Sequence, residues 1–120
     1  MPGFDIVESA AVRTTIASSE IFGVDPEGVH KRLTLAVGSP RRIDGEPGWQ
    51  CRVAVVDILR PTTVVGVDSF VALATAIARI RRLLGELCER GWSFSLDPAG
   101  REPIDPDDWP VAAAISETPR

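Results

Sequence analysis

The spacing of apolar residues changes most clearly at Asp68 along this 120-residue chain. Before Asp68 it alternates; after Asp68 it recurs at steps of three and four. Within Lys31–Gly38, Leu33, Leu35 and Val37 occupy alternate positions and so share one face of a strand. Trp49, Cys51, Val53 and Val55 do the same in the strongest strand, expected from Trp49 to about Leu59. Gln50, Arg52, Ala54 and Val56 form its other, wetter face. Asp57 falls on the dry face near the end, where burial is costly without a partner. The β-branched residues between Val12 and Phe22 also favour extended structure. Gly23–Gly28 supplies turn residues, and residues 40–48 read as an exposed hairpin loop. Pro61 breaks the ladder or marks a turn, and Thr62–Val67 forms a further short strand.

Asp68 or Ser69 can cap a helix by accepting a bond from a free N–H of its first turn. Phe70, Leu73, Ala74, Ile77, Ile80, Leu84 and Leu87 then trace an apolar stripe, with Arg79, Arg82, Glu86 and Arg90 on a wet face. Gly91 is a natural stop. Gly85, inside the pattern, suggests close packing on the sheet. Trp92–Leu96 alternates again and predicts a last strand, with Trp49 and Trp92 as core plugs. Beyond it, five prolines between Asp97 and Arg120 forbid a long helix and leave room for a short one over Asp108–Ile115. The expected fold is therefore α+β. An antiparallel sheet of four or five strands packs against one long helix in the C-terminal half. The chain reads as a single domain, with its core in residues 12–96 and a proline-rich acidic segment from 97 to 120. Residues 1–11 read as a loose lead-in with a short pairing segment near Phe4–Val7.

Composition narrows the class. Hydrophobic residues at 44% and charged residues at 25% are ordinary for a globular domain. No apolar run reaches the ~20 residues of a membrane span. Met1–Asp5 carries acid where a signal peptide would carry positive charge, so a cytoplasmic location is expected. Cys51 and Cys88 fit that location as reduced, packed thiols, since small secreted domains need denser disulfides. The net charge of −4 is uneven: acidic through residue 30, basic from 31 to 96, acidic again from 97.

Catalytic patterns are sparse. The single histidine, His30, stands beside Lys31 and Arg32 at a strand start, with no nucleophile placed for it. Asp105, Asp107 and Asp108 lack the alternating ligands and downstream glutamate of a calcium loop and read as a solvated turn. No glycine-rich phosphate loop is present, and Asp68 would repel an anion from the helix start. No metal or cofactor is expected. The arginines of the middle segment could contact phosphates, but net negative charge and few aromatics weigh against nucleic acid as a partner.

The runs Trp49-Gln50-Cys51-Arg52 and Gly66-Val67-Asp68-Ser69-Phe70 resemble a family of short bacterial proteins known as a domain of unknown function. The resemblance covers residues 12–90. It implies strands ending in a Trp-x-Cys strand, a Gly-x-Asp-Ser junction and a long helix, and a bacterial origin. It implies no catalytic residues. Position 71 is valine here where that family carries glutamine.

A patterned core without a catalytic constellation points to a non-catalytic protein-binding module of immunity or adaptor type, its partner another protein or a second copy. The alternatives are a small ligand-binding domain or enzyme with a pocket near the strand-to-helix junction, and nucleic-acid binding through the basic middle. Arg52, Asp57, Arg60 and Asp68 are the candidate binding residues.

Overall fold

The alternating segments form an antiparallel sheet, seen in a computed structural model that describes residues 15–110. β1 (Thr15–Val24) turns back on β2 (His30–Gly38). In that turn the Asp25 carboxylate accepts from the backbone N–H groups of Glu27 and Val29, each at 2.9 Å. β3 (Arg41–Arg42) and β2 both lie along one edge of β4 (Trp49–Val55), and β5 (Leu59–Gly66) lies along the other. After the helix α1 (Ser69–Glu89), β6 (Ser93–Ser95) returns to pair with β1. The strand order is thus β5–β4–β2–β1–β6, with β3 beside the start of β4. The α+β expectation holds, with six strands where four or five were expected.

Register decides which residues meet the helix. Ile21 opposes Leu33, Leu35 opposes Val55 and Val37 opposes Val53, so these side chains share one face. All are buried, together with Cys51. The helix lies over this face, chiefly against β4 and β5.

Its inward stripe is Ala72, Ala76, Ile80, Leu84 and Leu87, flanked by half-buried Leu73 and Ile77. The stripe read from the sequence was rotated. Phe70 is 77% exposed and Ala74 is also in solvent, while Arg79, expected wet, is half-buried. The cause lies at Gly66. A Cβ there would stand 2.5 Å from the backbone N of Ala72 and 2.9 Å from its Cα. The first helical turn rests on the strand backbone, so only small residues fit beneath it, and the bulkier Phe70 is turned outward. Larger side chains, Ile80 and Leu84, fill the wider part of the layer, each worth roughly 1.5–3 kcal/mol on burial.

Both helix ends are closed locally. The Asp68 carboxylate accepts from the Val71 N–H at 2.8 Å. At the other end Gly91 adopts φ 102°, Trp92 N–H donates to the Leu87 carbonyl and Gly91 N–H to that of Cys88, a Schellman closure.

Other boundaries move for physical reasons. β4 ends at Val55, because Asp57 takes φ 72° in the turn to β5 and is exposed. It therefore does not continue the dry face. Pro61 lies inside β5, at the register irregularity between the Val53–Thr62 and Val55–Leu59 pairs, where a ladder tolerates a missing donor. The 40–48 loop contains the two-residue strand β3. Gly85 does not touch the sheet; a Cβ there would meet only Pro106 Cβ, at 4.0 Å. Trp49 and Trp92 are half-buried against the core, and Trp109 is buried with them, its carbonyl accepting from Arg81 Nε at 3.1 Å. The lead-in and most of the 108–115 segment fall outside the described residues.

Two glycines thus carry opposite expectations. Gly66→Ala should destabilise by roughly 1–3 kcal/mol, the usual cost of overpacking, because the obstructing atoms are backbone. Gly85→Ala should stabilise by about 1 kcal/mol, since the helix gains propensity and the methyl fits. Urea unfolding of the two variants beside the parent chain measures both.

Candidate functional site

The four polar residues proposed from the sequence do not converge. Arg52 is exposed on the outer sheet face, opposite Thr63. Asp57 and Arg60 are exposed near the β4–β5 turn, at the start of β5. Asp68 lies past its far end. Eight strand residues at ~3.3 Å each separate the two ends by about 25 Å. No ion pair links the four. Asp68 already has its partner in the Val71 N–H and serves the helix.

What gathers at the strand-to-helix junction is apolar. Val65, Val67 and Phe70 are 61%, 81% and 77% exposed, and Val71 is partly exposed beside them. A broad shallow hollow of about 740 Å³ runs from Val65, Gly66 and Val67 to Ile43, Glu46 and Pro47 of the β3–β4 loop. The loop is brought there by the pairing of Trp49 with Gly66 and of Arg42 with Trp49. Val65 and Val67 line that hollow, whereas Phe70 and Val71 stand across the junction on the helix. Several large apolar side chains exposed at one junction, rather than scattered singly, mark an interaction surface.

The backbone beside this patch is also open. β5 pairs only with β4, so its outer edge has no strand partner among the described residues. The opposite margin of the sheet is treated differently. There Leu96 N–H donates to the Glu102 carbonyl and Ile104 N–H to the Phe94 carbonyl, so residues 102–104 cover β6. Arg60 and Pro61 guard the beginning of β5, as charges and prolines commonly guard sheet edges. From Thr62 to Gly66 no such residue stands.

The two cysteines are poorly placed to act as nucleophiles. The Cys51 thiol is buried and donates to the Gly38 carbonyl at 3.2 Å. Burial pushes its pKa above the ordinary thiol value. Burial, and then the nearby Asp105 carboxylate, push up that of Cys88. Both shifts disfavour the nucleophilic thiolate. Among the described residues no cluster of three or more His, Cys, Asp or Glu side chains could hold a metal ion. No helix in this part of the chain is long and apolar enough to cross a membrane.

The apolar junction was missed in the sequence because Phe70 fits a helical stripe equally well in either rotation. The spacing Ala72–Ala76–Ile80–Leu84, at steps of four after a glycine, was the signal that could have decided it. No family model, no curated protein and no solved structure matches the chain.

If Asp68 acts as a cap, Asp68→Ala should lower stability by about 1 kcal/mol, and Asp68→Asn should restore most of it, since asparagine caps nearly as well. Thermal or urea unfolding of the two variants distinguishes this from a purely electrostatic role, in which asparagine would be as damaging as alanine.

Proposed function

We propose that this protein is a non-catalytic protein-binding module that receives an extended segment of another polypeptide along the free half of β5. The observation that carries this reading is the exposure of Val65, Val67 and Phe70 beside an unpaired strand edge. Edge addition of this kind takes its affinity from main-chain hydrogen bonds and its specificity from alternate side chains. Here Val65 and Val67 alternate along the strand-to-helix connection, and Phe70 adds an aromatic anchor of the sort that dominates binding energy. An adaptor or immunity role in a bacterial cytoplasm, with a second protein or a second copy as partner, is the form we assign to it.

A photocrosslinking residue placed at Val67, with a control at exposed Glu89, tests the reading in the native host. A single protein species, or a second copy, should crosslink from position 67 and not from 89. Phe70→Glu should reduce it at least about tenfold while leaving folding unchanged, because Phe70 contributes nothing to the core. No crosslinked protein from position 67, or the same species from both positions, would remove the basis for the proposal.

A further inference from the structure

At the other end of the sheet, on the face away from the helix, three strands build a second concavity. Phe22 pairs with Arg32 on one side and Ser95 on the other; Val24 pairs in the same way with His30 and Ser93. These six side chains therefore lie on one face in two adjacent rows. Ser95 and Phe22 are at least half-buried, and His30, Arg32 and Ser93 stand at the rim. A loop folds back to form the remaining wall with Pro98, Ala99, Gly100 and Pro103, bounding a half-open space of about 440 Å³. That is within the range of small-molecule sites.

The wall is held by several bonds. The Asp97 carboxylate accepts from the backbone N–H of Glu102 at 2.8 Å and of Arg101 at 3.1 Å. Those bonds, that of Glu102 foremost, hold its pKa below the ordinary carboxylate value. Ser95 Oγ donates to the Asp97 carbonyl at 2.7 Å. Asp97 is thus committed to its own loop.

The charge of the cavity runs against that of the chain. The protein carries a net −4, yet no carboxylate lines this space, whereas the side chains of His30 and Arg32 do; Lys31 alternates to the helix side, where its ammonium lies 5.9 Å from the Trp92 ring centroid. The Arg32 guanidinium lies 5.8 Å from the Phe22 ring centroid. Among the described residues its acidic partner is Glu20, at 3.5 Å, and both side chains are at least half exposed, so that pair is weak and exchangeable. The floor is apolar and partly aromatic, while the rim offers a fixed cation and nitrogen donors.

We infer that this cavity binds a small organic anion with a flat apolar body. The carboxylate or equivalent anion displaces Glu20 from Arg32, and the ring system rests against Phe22, Val24 and the Pro98–Gly100 wall. The site shares no residue with the β5 edge, so it stands or falls independently of the protein-binding reading.

The test uses 2-naphthoate as the probe and 2-naphthamide as its uncharged counterpart, titrated into the full ¹⁵N-labelled chain. Saturable amide shifts should centre on Phe22–Val24, His30–Arg32 and Ser93–Ser95. The amide should bind at least about tenfold more weakly, as should 2-naphthoate to Arg32→Gln, because a charge-assisted hydrogen bond is lost. Arg32 is exposed, so the variant should fold, and an unchanged spectrum outside the site verifies it. Three results would each overturn the inference: no saturable shift; shifts centred on the β5–helix junction; or equal binding of acid and amide, or of parent and Arg32→Gln.

Discussion

The architecture depends on one close approach: the first turn of the helix lies directly on the backbone of β5 at Gly66, in space where any side chain would collide with Ala72. That contact fixes the rotation of the helix about its axis. Rotation in turn decides that Ala72, Ala76, Ile80 and Leu84 face the sheet. It also decides that Phe70 does not. The buried stripe and the exposed junction patch are therefore two consequences of the same constraint. Cores are close-packed, so a helix seated this closely cannot roll to bury Phe70 without opening a gap elsewhere.

The capping bond from Val71 N–H to Asp68 is part of the same device. It starts the helix immediately after the strand, leaving only Val67 and Asp68 between β5 and α1. So short a connection holds Val67 and Phe70 beside the open end of β5. The apolar exposure is thus positioned by rigid elements on both sides, which lowers the entropy cost of binding relative to a flexible loop.

The fold class was legible in the sequence because two apolar periods, two and 3.6, leave different signatures. Leu33, Leu35, Val37, Cys51, Val53 and Val55 are all buried, as their alternation required. The helix limits followed from Asp68 and Gly91, whose chemistry is local. The rotation was harder to read, since it depends on a contact between Gly66 and Ala72 whose only trace in the sequence is the four-step spacing from Ala72 to Leu84 after a glycine. The end of β4 was obscured for a similar reason. On paper the strand runs on through Val56 and Asp57 toward Leu59, but Asp57 takes a positive φ in the turn. The candidate site was less legible still. Sequence reasoning looked for charged residues, and Arg52, Asp57, Arg60 and Asp68 are spread over the length of β5. The surfaces that stand out, an apolar edge and a carboxylate-free concavity, arise from residues brought together by strand register.

The seating of the helix is read most directly by nuclear Overhauser contacts in the folded chain. The account predicts a strong contact between the Gly66 α-protons and the Ala72 amide proton, with the Phe70 ring protons free of contacts to Val53 and Val55. Absence of the first, together with Phe70 ring contacts to those valines, would contradict it.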